Sequence, residues 1–182
     1  MTEAEDPELL RVADLLRIAA RELVHLRTTD RRLFAGGPVG PELADRLETD
    51  QALAERLDAF VARFGRLQDT LGARLLPATM RLLGDAPGAM LENLDWAERL
   101  GLVRSADAWA EIRRLRNRMI HEYVSDPAAL ADALNRAHAF IPDLERFLEA
   151  VRERLLARFP MLRERLGPEQ PSGRDERGKE SQ

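Results

Sequence analysis

The chain has 182 residues, of which 45% are hydrophobic and 33% are charged, enough for one core of ordinary domain size. It has no cysteine, which excludes disulfides, thiolate metal sites and a cysteine nucleophile, and no apolar run approaches the ~20 residues of a membrane-spanning helix. The net charge of −4 means that any contact with nucleic acid must be local.

The first half of the chain predicts two long helices. Residues 35–41, "AGGPVGP", end the first helix, and Pro41 is a suitable residue to begin the second. Helical apolar spacing then continues as far as Leu75, and Pro77 is predicted to kink or end the helix. The first helix is predicted from apolar residues at alternating steps of three and four, namely Leu9, Val12, Leu16, Ala19, Leu23 and Leu26.

The second half predicts a short helix, a helix of middle length and a last long helix. Gly101 stops the short helix, and Ser105 is the predicted N-cap of the next. Asp126 and Pro127 form a cap and first-turn pair for the last helix, in which Pro142 is a candidate bend. No segment alternates with period two for long enough to form a strand. The expected fold is therefore an all-α bundle of about five helices in one domain, residues 1–166.

The two ends of the chain bear on its location and order. The acidic start "MTEAEDPELL" is unlike a signal peptide, so we expect a soluble, cytoplasmic protein. Residues 167–182 contain no apolar residue and are predicted to form a disordered tail.

One charged residue in the segment 105–124 breaks the helical pattern. On a helical wheel at ~100° per residue, Arg116 falls between Trp109 and Ile112 inside the apolar sector, with Tyr123 beside it. A charge in that position requires a partner or a purpose. The apolar sector comprises Ala108, Trp109, Ile112, Leu115, Met119 and Ile120, and the opposite side comprises Glu111, Arg114, Asn117, Arg118 and His121.

Two interpretations of Arg116 follow from its chemistry. In the structural one, it reaches past its neighbours to solvent or pairs with a carboxylate on another helix. In the functional one, it acts with Asn117 and His121, which share one helix face, because imidazole, amide and guanidinium groups suit phosphodiester chemistry. Arg116 and His121 lie about 140° apart on an ideal helix. They could converge if the helix unwinds near His121 or if a second copy packs across a twofold axis.

The segment "RNRMIHEY" resembles the Arg-x4-His-x-Tyr signature of HepT-like toxins in the HEPN superfamily. The resemblance extends from about residue 8 to residue 158 and includes "RFGRLQDTLG" at 63–72. It implies an all-helical, HEPN-like homodimer that acts as a metal-independent endoribonuclease without a cofactor. Both copies of the motif would then face one cleft.

The resemblance also assigns roles to the residues of the motif. It implies that Arg116 and His121 are the catalytic pair and that Asn117 supports them. The ribose 2′-hydroxyl would attack the adjacent phosphate, with His121 as general acid or base and Arg116 stabilising the developing charge. Which proton His121 transfers stays open. The resemblance further implies that this endoribonuclease, a hydrolase, is the toxin of a type VII-like toxin–antitoxin pair.

Tyr123 is implied to be the site at which such a toxin is neutralised. In similar systems a minimal nucleotidyltransferase antitoxin transfers AMP to the tyrosine of this motif. AMPylation would add bulk and negative charge beside the cleft and so block RNA. The structural alternative is that Tyr123 closes the helix end against the core.

The alternatives for the remaining candidates stay open. Arg113, Arg114 and Arg118 form, with Arg116, either an RNA-binding patch or a solvated helix face. The rival function is a non-catalytic binding module, such as a nucleotidyltransferase substrate-binding subunit or an antitoxin. Core, surface or packing roles are expected for His25, His138, Trp96 and Trp109. An acidic strip is expected to be solvated surface, with contact to an antitoxin or to the arginine cluster as the alternative: Glu92, Asp95 and Glu98.

Overall fold

The computed structural model describes residues 6–121 and 126–167, with the side chains of 117–121 excepted. Throughout these ranges the secondary structure is helical and contains no strand, which confirms the predicted all-α class. None of the helices in these ranges is long and apolar enough to cross a membrane. The helices are α1 (Pro7–Leu33), α2 (Leu43–Thr49), α3 (Gln51–Asp69), a π-helical turn (Thr70–Leu75), α4 (Leu76–Leu82), α5 (Met90–Arg99), α6 (Ala106–His121), α7 (Pro127–Arg158) and α8 (Leu162–Leu166).

The helix α1 packs antiparallel to a rod formed by α3, the π-helical turn and α4. Arg63 of α3 donates to the backbone oxygen of His25 at 3.2 Å, whereas Arg81 of α4 pairs with Glu8 near the start of α1 at 3.1 Å. The contacted residues therefore lie nearer the start of α1 as the rod continues toward its C-terminal end. The middle of the rod is buried on most sides because α1, α6 and α7 all contact it.

The predicted second helix is interrupted at Asp50. The Asp50 backbone is extended, with φ −114° and ψ 90°, and its carboxylate accepts a hydrogen bond from the Leu53 amide at 3.0 Å. An N-cap of this kind satisfies an amide that a helix start leaves without a partner. The expectation of one continuous helix from Pro41 was wrong, because Asp50 begins α3 as a separate helix.

The rod widens just before Pro77 and does not end there. Residues Thr70–Leu75 form a π-helical turn, and α4 continues from Leu76 to Leu82. Proline lacks an N–H group, and its ring crowds the carbonyl four residues earlier, here that of Ala73. The wider π turn lies where that crowding would occur in a regular α-helix. Pro77 therefore leaves the rod uninterrupted.

The predicted caps around α6 and α7 are confirmed. The Ser105 hydroxyl accepts a hydrogen bond from the Ala108 amide at 3.1 Å, and the Asp126 carboxylate accepts one from Ala129 at 3.0 Å. Gly101 follows α5 with φ +71°, a conformation that favours glycine. The last long helix, α7, runs from Pro127 to Arg158 without interruption at Pro142.

Candidate functional site

The helix α6 carries the candidate site and is anchored by its apolar side. Trp109, Ile112 and Leu115 are buried, as the helical wheel predicts. The Trp109 ring packs edge-on against Phe140 and Phe147 of α7, with centroid distances of 5.8 and 5.1 Å. These contacts fix the rotation of α6 about its axis and so determine which way Arg116 faces.

The outer side of α6 is also tied to α7. Arg136 Nη2 donates to Glu111 Oε1 at 2.5 Å, and this hydrogen bond raises the pKa of the Arg136 guanidinium. At the start of α6, Glu98 of α5 accepts a hydrogen bond from the Ala106 amide at 2.7 Å. The helix is therefore held at its first turn and along one flank before it reaches Arg116.

Arg116 pairs with Asp69, the last residue of α3. Its Nη1 lies 3.0 Å from Asp69 Oδ1 and 2.9 Å from Oδ2. The side chains are 24% and 39% exposed, so the pair lies at the edge of the core. One guanidinium nitrogen serves both carboxylate oxygens, and within the described part of the chain Nε and Nη2 have no hydrogen-bond partner. The carboxylate partner on another helix agrees with the structural interpretation of Arg116.

The structure describes the side chains of only some of the other predicted site residues. Arg114 is exposed, and Arg113 is partly buried, with an Nη1 atom that has no partner among the described residues. Asn117, Arg118 and His121 belong to α6, but their side chains are not described, and Tyr123 lies outside the described residues.

The backbone of α6 limits how Arg116 and His121 can meet. The helix is continuous from Ala106 through His121. On a single chain the two residues therefore remain about 140° apart around the helix axis. No unwinding of α6 precedes His121, and the twofold packing of a second chain stays a prediction.

Two polar residues near the end of α3 were not predicted from the sequence to be important. Asp69 is the partner of Arg116, and Gln68 is fully buried, with neither amide atom hydrogen-bonded to any described residue. Trp109 Nε1 is also buried and has no hydrogen-bond partner among the described residues. A signal existed for Gln68, because it lies in phase with the core residues Phe64 and Leu71.

Groups outside this region have structural partners. His138 Nδ1 lies 2.6 Å from Asp30 Oδ1, and its ring stacks on Phe34 at 4.1 Å. Glu92 accepts a hydrogen bond from the Ala89 amide at 2.8 Å and so caps α5. Within residues 6–121 and 126–167, no group of three or more acidic or histidine side chains is arranged to hold a metal ion.

Searches with this chain against profiles of known protein families, against curated proteins and against solved structures each found no match.

Proposed function

We propose that this protein is a metal-independent endoribonuclease toxin that acts as a homodimer and cleaves RNA through Arg116 and His121. The observation that carries the proposal is the half-buried Arg116 guanidinium, held on Nη1 by Asp69 while Nε and Nη2 lack partners among the described residues. Arginine held in one pose is suited to bind a phosphate through its planar fork. The sequence of the motif supplies a histidine and an amide within the following five residues.

The proposed reaction is transesterification followed by release of the downstream RNA. The ribose 2′-oxygen attacks the adjacent phosphorus as it loses its proton, the bond from phosphorus to the 5′-oxygen breaks, and the 5′-oxygen gains a proton. His121 transfers one of these protons, since histidine exchanges protons near neutral pH. Arg116 stabilises the charge on the phosphate oxygens, and Asn117 supports the pair. The products are a 2′,3′-cyclic phosphate end and a 5′-hydroxyl end.

The proposed partners follow from the same motif. A second copy of the chain brings its Arg116 and His121 to a shared cleft, and Arg113, Arg114 and Arg118 supply local positive charge for RNA. A nucleotidyltransferase antitoxin neutralises the toxin by adding AMP to Tyr123, which places negative charge where the RNA phosphate would bind. Both partners act in the cytoplasm.

Two observations favour the second candidate, a non-catalytic binding module. Asp69 already neutralises Arg116, as it would in a purely structural ion pair that joins α3 to α6. The acidic net charge of −4 also suits a protein whose main contact is another protein.

An RNA cleavage assay on the purified chain separates the two candidates. We expect wild type to cut RNA and leave 2′,3′-cyclic ends in the presence of a chelator, and Arg116→Ala and His121→Ala to lose activity by about 100-fold or more. Arg163→Ala is the matched control, since this exposed arginine lies on α8, beyond the far end of α7. The nuclease proposal would be overturned if RNA stays equally intact with wild type and with both variants. For this result to count, mass spectrometry must show that Tyr123 of the protein is unmodified.

A further inference from the structure

The guanidinium of Arg116 occupies the space that a side chain at position 65 would fill. Gly65 is buried in α3, and a Cβ atom built on it would lie 2.5 Å from Arg116 Nε, 3.0 Å from Cζ and 3.2 Å from Nη2. Non-bonded heavy atoms pack at about 3.5–4.0 Å. Any larger residue at position 65 must therefore displace the guanidinium or move α6 away from α3.

The backbone does not require glycine at position 65. Gly65 lies inside a regular helix and is not among the glycines with positive φ. Glycine is the least favourable helix residue after proline. Its presence in the interior of α3 is therefore explained by the space it leaves for Arg116.

Gly65 and Asp69 together form a seat for the arginine. They are four residues apart and so lie on one face of α3. Asp69 holds Nη1, while Gly65 receives the other side of the group, Nε, Cζ and Nη2. Contacts on both sides determine the position and the orientation of the guanidinium.

We propose that Gly65 is a positioning residue for the reaction, because its missing side chain sets the pose in which Arg116 meets the RNA phosphate. The inference rests on the proposed function for its catalytic consequence. The physical contact between Gly65 and Arg116 stands independently of that function, and the two are tested by different measurements.

Gly72 provides a matched control on the same face of the rod. A Cβ atom built on Gly72 would lie 3.2 Å from Trp109 Nε1, and the nearest atoms around it belong to that tryptophan. Gly65→Ala and Gly72→Ala therefore make the same chemical change toward the same helix, α6. Only the first change meets the arginine.

Thermal unfolding tests the contact. We expect Gly65→Ala to raise Tm by a few degrees in the Arg116→Ala background, where alanine favours the helix and meets no guanidinium, and to lose most of that gain in the wild-type background, where the added methyl group displaces Arg116 from Asp69. Gly72→Ala should shift Tm equally in both backgrounds. If Gly65→Ala alone fails to fold, recovery of folded protein in the double variant is the supporting result. Equal Tm shifts from Gly65→Ala in the two backgrounds would overturn the seat.

Cleavage kinetics test the catalytic consequence. We expect Gly65→Ala to lower kcat about tenfold or more with KM changed less than threefold, since a displaced arginine loses its contact in the transition state. In the Arg116→Ala background it should change the residual rate less than twofold. A kcat within twofold of wild type for folded Gly65→Ala, or an equal loss in both backgrounds, would overturn the positioning role. If the wild-type chain cuts no RNA but Gly65→Ala shifts Tm unequally in the two backgrounds, the seat stands and the nuclease proposal is overturned.

Discussion

The ion pair between Arg116 and Asp69 holds the arginine through a single nitrogen. Both oxygens of the carboxylate lie near Nη1, at 3.0 and 2.9 Å, so the pair is not the fork-to-fork arrangement in which two nitrogens meet two oxygens. The carboxylate therefore orients the guanidinium without covering its Nε and Nη2 donors. An ion pair with this exposure contributes little to stability, on the order of 1 kcal/mol.

Asp69→Asn separates the orienting role of the carboxylate from its size. We expect the free energy of unfolding in urea to fall by about 1 kcal/mol or less, because the pair is partly exposed. We expect RNA cleavage to fall about tenfold, because Arg116 loses the charge that holds it. Asp58→Asn, at an exposed position on α3, is the control and should change neither quantity. Full activity in Asp69→Asn would show that orientation by Asp69 is not required.

The sequence predicts the need of Arg116 for a partner but not the partner itself. A charge inside an apolar helical sector is visible from residues 105–124 alone. Asp69 lies 47 residues earlier, and only the packing of α6 on α3 brings the two together. The role of Gly65 is hidden for the same reason, since a glycine inside a helical pattern does not reveal which side chain uses its space.

At the scale of helices, the caps were predicted from local signals, whereas the break at Asp50 and the π-helical turn were not predicted. The caps at Ser105 and Asp126 depend on hydrogen bonds to residues three positions later, so sequence spacing is sufficient to find them. The break at Asp50 was missed because Ala54 lies seven residues after Leu47 and so keeps the helical apolar spacing across it. The π-helical turn before Pro77 was missed because a proline inside a pattern predicts a kink without giving its form.

The interior-facing side of α3 contains a buried amide. Gln68 is 0% exposed, and both of its amide atoms lack partners among the described residues. A buried polar group without a hydrogen bond costs about 1–3 kcal/mol. Methionine has nearly the same length and adapts to irregular space.

Gln68→Met should therefore stabilise the protein. We expect the free energy of unfolding to rise by about 1–2 kcal/mol, measured by urea denaturation with an unchanged m-value. Gln51→Met, at an exposed position at the start of α3, should leave it within about 0.5 kcal/mol. A clear loss of stability in Gln68→Met would mean that the amide has a polar partner in solution, such as a buried water.

At the scale of the whole molecule, charge must be concentrated for RNA to bind. The net charge is −4, so attraction of RNA depends on positively charged side chains that carboxylates do not neutralise. Arg66 is one: it is exposed on α3, three residues before Asp69, and has no ion-pair partner within the described ranges. Since residues three apart on a helix are neighbours, Arg66 lies next to the seat of Arg116.

Arg66→Glu should weaken RNA binding in a salt-dependent way. Each phosphate contact of a single-stranded nucleic acid contributes about −0.7 to the slope of log K against log salt. With His121→Ala in all samples to prevent cleavage, we expect Arg66→Glu to weaken binding of an RNA oligonucleotide several-fold at low salt and to make the slope less steep by about that amount. Arg163→Glu changes net charge equally at a distance, on α8, which packs on α1 and α7. If both variants weaken binding equally, net charge alone is responsible, and Arg66 makes no phosphate contact. A slope reduced only by Arg66→Glu extends the RNA surface from α6 onto α3.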